Sequence, residues 1–192
     1  MRIPASVSQA EIKEKGSRFL AVVQPAGSEA EGKAALALLA RRHHDATHCC
    51  WAWRLGGPPR ERSSDAGEPA GTAGVPILQV LRGADLTDVC AVVVRWFGGT
   101  KLGKGGLARA YTEATRAAVA DLPIVDRVPV VTLAIVVPYD RLGAAKRLVH
   151  PPAVELAGEE YGDQVRLVLR VHEDRQAALL EALAGLGARK SR

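Results

Sequence analysis

The chain has 192 residues, 47% of them hydrophobic, and a formal net charge of +5. That length suits one or two small domains able to bury a core without staples, and three cysteines, two of them adjacent, do not make a disulfide framework. No apolar run approaches the roughly 20 residues needed to span a bilayer, and the opening MRIPASVSQAEIKEKG lacks a signal peptide's apolar core, so the expected setting is a reducing cytoplasm without a membrane partner.

In chain order, IKEKGSRFLAVVQPA predicts a first strand with Phe19, Ala21 and Val23 on one face. SEAEGKAALALLARRHHD predicts a helix, with Ser28 as N-cap, Glu31 completing a capping box, and Ala35, Leu36 and Leu39 as its buried stripe. THCCWAWRLG predicts a strand presenting Cys49, Trp51 and Trp53 on one face and His48, Cys50 and Ala52 on the other. GPPRERSSDAGEPAGTAG, dense in Gly, Pro and Ser, reads as loop, and VPILQVLRGAD as a short helix with Pro76 in its first turn. DVCAVVVRWF is a nearly continuous apolar run, the pattern of a central strand covered on both faces. In the helix that follows, Leu107, Ala110, Tyr111, Ala114 and Ala118 form one buried stripe, with Arg109, Glu113 and Arg116 outward.

DLPIVDRVP then reads as a turn between two domains, 1–123 and 124–192. The second half runs strand (130–137), helix (140–150), strand (153–159), strand (164–171), helix (173–186). That series lacks only a last strand to make a ferredoxin-like βαββαβ domain, and GLGARKSR is barely long enough to supply it. Positive charge concentrates in the first part: 16 Lys and Arg stand against 12 acids through Pro123, and 10 against 9 beyond it.

Three clusters invite a chemical reading. GGTKLGKG comes within one residue of the nucleotide-binding pattern G-x-x-x-x-G-K-[ST]: Gly98, Gly103 and Lys104 fit, but Gly105 stands where a hydroxyl should hold magnesium. Hydrolysis therefore lacks a part, while a glycine-rich helix start with Lys101 and Lys104 beside it still suits an anion; a tight turn with solvated lysines is the structural alternative. RRHHDATHCCW places His44 and His48 four apart, but without a C-x-x-C pair and across a helix end, so no metal site is expected and Cys50 reads as a small core residue. SSDAGEPAGTAG offers Ser63, Ser64, Thr72, Asp65 and Glu68 without a G-x-S-x-G elbow, which favours a recognition loop over a catalytic one. In that loop Asp65 and Glu68 can equally cap the next helix or bind backbone amides.

Together, HDATHCCWAWR, SSDAGEPAGTAGVPILQVL and VVVRWFGGTKLGKGGLARAY resemble successive blocks of the IMPACT (YigZ-type) family, over roughly residues 10 to 122. The spacing from Gly74 through Arg95-Trp96-Phe97-Gly98-Gly99 to Leu102-Gly103 is similar to that family's signature. The second half resembles the small C-terminal domain of bacterial members, itself similar to domain five of elongation factor G. The resemblance implies an α+β fold of two domains. The first is similar to domain two of the small-subunit ribosomal protein five superfamily, a βαβ-type sheet with helices on one side; the second is ferredoxin-like. It also implies a translation-associated setting, although the partner-binding domain of eukaryotic members has no counterpart here.

On these grounds the leading expectation is a non-enzymatic protein that binds RNA or the ribosome, with a protein partner in translation as a further prospect and no cofactor or catalytic residue. Its anion or nucleic-acid site would comprise Arg95, Gly98, Gly99, Lys101, Gly103, Lys104, Gly105, Gly106 and Arg109. Trp96 or Phe97 would stack on a base, and a recognition loop of His48, Ser64, Asp65, Glu68, Gly71 and Thr72 would shape the groove. The alternatives are a phosphotransferase or nucleotide-binding enzyme using the same loop, with Asp65 and Glu68 as its acids, and a protein-interaction module.

Overall fold

The computed structural model describes residues 1–191 of a chain that divides into two compact units, Met1–Arg127 and Val128–Arg192. The first unit contains β1 (Arg2–Pro4), β2 (Ser8–Glu14), β3 (Ser17–Pro25), α1 (Glu29–Arg42), β4 (His48–Leu55) and β5 (Arg60–Ser64). It continues through α2 (Gly74–Gly83), β6 (Val89–Trp96), α3 (Gly103–Ala120) and β7 (Ile124–Asp126). Its main sheet has the order β2-β3-β6-β4-β5, antiparallel throughout, with β6 at the centre.

The period-2 alternation of β6 explains why its sequence is apolar at every position. Val89, Ala91 and Val93 join the core under α2 and α3, while Cys90, Val92 and Val94 join a second core under α1. Helices therefore cover both faces of the sheet, not one as the family likeness implied. The faces of β4 follow the expected alternation: Cys50 and Ala52 enter the α2/α3 core, and Trp53 stacks on Trp51 at 4.0 Å on the α1 side. The α3 stripe is buried as its spacing predicts, from Leu107 to Ala118.

Local differences have local causes. The expected first strand is a hairpin, because Lys15 (φ 46°) and Gly16 (φ 82°) form a two-residue turn of left-handed residues between Glu14 and Ser17. The presumed loop after β4 contains β5, an edge strand of polar residues whose Glu61 bridges Arg54 and Arg82. Ser28 caps α1 by accepting from the Glu31 amide, but the Glu31 carboxylate takes the amide of Gly27 instead of closing a box on Ser28. Ile124–Asp126, read as part of the turn and assigned to the second domain, pairs with β1 in the first.

The second unit contains β8 (Val130–Val137), α4 (Leu142–Lys146), β9 (Val154–Tyr161), β10 (Val165–His172), α5 (Gln176–Gly185) and β11 (Arg189–Lys190). The sheet order β11-β8-β10-β9, antiparallel at every pairing, is that of a ferredoxin-like βαββαβ domain. The last strand forms with two residues, enough to pair with Ile135 and Val136. The first helix is shorter than its pattern, a 3-10 turn at Tyr139–Arg141 followed by α4.

Candidate functional site

Arg95 occupies an inward position near the end of β6, in register with Phe19 on β3 and His48 on β4. A guanidinium at such a place needs compensation, and the loop between β5 and α2 supplies it. Arg95 Nη1 donates to Glu68 Oε1 at 2.6 Å, with the two side chains 6% and 3% exposed. The Tyr111 hydroxyl, from α3, donates to the same oxygen at 2.8 Å, and the Cys50 thiol donates to that hydroxyl at 3.3 Å. Arg95 Nη2 reaches Ser17 Oγ at 3.3 Å, while its Nε is buried without a partner. Burial, above all, pushes the Tyr111 pKa far up and the Cys50 thiol up to about 12, so both stay protonated donors and Cys50 is no nucleophile at neutral pH.

Beyond Trp96 the chain turns sharply against the β2–β3 hairpin. A Cβ on Gly98 would lie 1.8 Å from the carbonyl carbon of Gly16, so only glycine permits that approach. Gly99 (φ 88°) and Gly103 (φ 69°) carry the chain around to α3. That helix starts with no side-chain cap, and outside the helix no acceptor among the described residues takes the amides of Lys104, Gly105 or Gly106. Its first turn therefore keeps the free donors and partial positive charge of an uncapped N-terminus. Gly105 offers no hydroxyl for magnesium.

These parts surround a cleft of about 420 Å³. Thr47, His48, Glu68, Pro69 and Arg95 line it from the sheet and loop; Phe97, Lys101, Leu102, Gly103, Lys104 and Leu107 line it from the β6–α3 connection. Lys101 and Lys104 are exposed, and no carboxylate among the described residues pairs with either. Phe97 is 47% exposed, its amide fixed by Thr47 Oγ1 at 3.0 Å, and the Arg95 guanidinium lies 5.6 Å from its ring centroid. Trp96 projects elsewhere: Arg18 covers its ring and its indole N–H donates to Asp45.

Of the predicted site residues, the fold gathers Arg95, Lys101, Gly103, Lys104, His48 and Glu68 on this cleft. Arg109 is not among them; it lines two other grooves along α3 with Glu113. Gly98 and Gly99 shape the turn, while Gly105 and Gly106 belong to the first turn of α3 beside it. Most of the predicted recognition loop is spent on its own conformation. Asp65 accepts the amides of Gly71, Ala73 and Gly74, Thr72 Oγ1 donates to the Pro69 carbonyl, and Ser64 Oγ accepts the Ala66 amide. His48 Nδ1 lies 2.9 Å from the Ala66 carbonyl, tying the loop to β4. Ser17, Thr47, Cys50 and Tyr111 escaped the sequence reading as site residues. The signal for a buried acceptor network was Arg95 itself, a cation in phase with Val93. No group of three or more His, Cys, Asp or Glu among the described residues could hold a metal ion. Nor is any helix of the described residues long and apolar enough to cross a membrane.

Comparison with known proteins covers both units. The family model described as Impact N-terminal domain matches residues 15–119, and a domain of unknown function (DUF1949) matches residues 135–187. The chain is 34% identical to IMPACT family member YvyE of Bacillus subtilis over 182 residues, 94% of this chain and 84% of that protein. It is 41% identical over 155 residues to the IMPACT family member in pol 5'region of Thermus thermophilus, 81% of this chain and 84% of that one. It is 33% identical over 172 residues to IMPACT family member YigZ of Escherichia coli, covering 88% and 83%. A crystal structure of a hypothetical protein shares its fold with a TM-score of 0.72 at 29% identity, covering 98% of this chain and 95% of that one.

Proposed function

The chain belongs to the IMPACT family, and from that premise we propose that it binds RNA, free or within the ribosome, by holding backbone phosphate in the cleft between β6 and α3. The translational setting comes from the family likeness and the binding mode from the site. The observation that carries it is the convergence of Lys101, Lys104 and the uncapped start of α3 on one cavity. The guanidinium of Arg95 is already matched by Glu68, so the two lysines are the uncompensated charge. Phosphate neutralisation by such groups gives affinity with little sequence choice and makes it fall with salt.

Fluorescence polarisation of a labelled RNA at two salt concentrations tests this. Binding should weaken as salt rises, and Lys101→Glu with Lys104→Glu should abolish it at low salt. Undetectable binding to the unaltered protein at low salt, or a charge-reversed protein that binds as well, overturns the reading.

A further inference from the structure

We infer that the cleft admits a single unstacked base, so that the ligand is single-stranded RNA and not a duplex; this rests on the RNA-binding reading above. Phosphate contacts alone would need only cations, yet much of this wall is apolar: Phe97, Leu102, Leu107 and Pro69 share the lining with the lysines and the Arg95–Glu68 pair. A bare phosphate gains nothing from such a surface, whereas a base has a π-face to lay on it. Phe97 is ready for that role, with its backbone amide anchored to Thr47, the residue 47% exposed, and the nearly buried Arg95 guanidinium 5.6 Å from its ring centroid to hold the ring in place. The cavity, about 420 Å³, is of a size that holds a small ligand, as one nucleotide is, and cannot take a helix whose bases stay stacked inside.

A separate observation points the same way. Arg95 lines the cleft with its side chain 6% exposed, and its Nε donor is buried with no partner although its other two nitrogens are both bonded. An unsatisfied buried donor is costly, and a small shift of the guanidinium toward the cleft would let an acceptor on a base edge relieve it. With Arg95 matched by Glu68, Lys101 and Lys104 supply two positive charges for the phosphates that flank the inserted nucleotide.

The test uses the full chain and an RNA of about 12 nucleotides, as a single strand and annealed to its complement, with Phe97→Ala, Phe97→Trp and a Lys101→Ala/Lys104→Ala double variant. The single strand should bind about tenfold or more tighter than the duplex. Phe97→Ala should weaken the single strand by about tenfold, the order expected for one lost stack, while Phe97→Trp retains affinity. The salt slope should stay as it was in Phe97→Ala and flatten by about 1.4 in the double variant, at about 0.7 per phosphate contact on a single strand. A 2-aminopurine base in the strand should change its fluorescence on binding, and lose that change in Phe97→Ala. Equal binding of strand and duplex, with the lysines still required and Phe97→Ala silent, overturns the base slot but leaves RNA binding standing. Binding of neither overturns both. A free mononucleotide, or a peptide captured by its C-terminal carboxylate, that binds as tightly as the 12-mer overturns the inference in favour of that ligand.

Discussion

Replacing Glu68 with glutamine isolates the ion pair that holds the cleft wall in place. The side chain keeps its size, and its remaining oxygen can still accept from Tyr111 and Arg95, but the guanidinium loses its counter-charge where the pair is only 3% and 6% exposed. Removing one partner of such a pair costs about 3–5 kcal/mol, because a charge is left in the interior without an opposite one. Retention of the neutral hydrogen bonds places Glu68→Gln at the low end, about 3 kcal/mol. For a unit the length of Met1–Arg127 that is a fall in Tm of roughly 10 °C. Arg95→Met in the same chain removes the stranded charge, so the double variant should recover about 1–2 kcal/mol relative to Glu68→Gln alone. Urea denaturation followed by tryptophan fluorescence reads this cleanly, since Trp51, Trp53 and Trp96 all lie in the first unit. A Glu68→Gln protein within about 0.5 kcal/mol of the parent, or a double variant less stable than either single one, would refute this reasoning.

Gly98→Ala should destabilise the first unit by about 3 kcal/mol or more in the same assay, because its Cβ would meet the Gly16 carbonyl at 1.8–2.0 Å with backbone on both sides. Asp65→Asn should cost about 1.5–3 kcal/mol at pH 7, the worth of hydrogen bonds to a charged acceptor. It should also flatten the loss of stability in acid. Burial raises the Asp65 pKa, but the amides of Gly71, Gly74 and Ala73 outweigh it and hold it below the ordinary value. The contribution is therefore complete above about pH 4 and lost as pH falls through the lower folded value, as a denaturation series from pH 7 to pH 2 would reveal. In native protein at pH 8, a thiol reagent should modify Cys49 before Cys50 or Cys90, both of which burial pushes up to about 12; mass spectrometry of the labelled peptides gives the order.

The fold was legible where periodicity and burial agree. The apolar run of β6, the stripe of α3 and the alternation of β4 each record which neighbours a residue meets, and each was read correctly. β5 was hidden because an edge strand can be polar at every position, and RERSS carries Glu61, whose carboxylate pairs sideways with Arg54 and Arg82. The Lys15–Gly16 turn was missed because a lysine gives little sign of a positive φ. At the site, the cluster of Gly and Lys after β6 was visible because it is contiguous in sequence. The partnership of Arg95 with Glu68, 27 residues apart, and of both with Tyr111, depends on three elements closing around one point. Asp65 and Glu68 look interchangeable in SSDAGEPAGTAG, yet one binds the loop's own amides and the other enters the cleft. Sequence spacing contains nothing that separates the two.

The most direct test of the account is an amide chemical-shift titration of the isotope-labelled full chain with a short single-stranded RNA. The amides of Lys101, Gly103, Lys104, Gly105 and Gly106 should move most, together with those of Phe97 and His48, and Arg109 and Asp65 should move little. Saturable shifts confined to other surfaces, or no shifts at low salt, would contradict a phosphate seat at the start of α3.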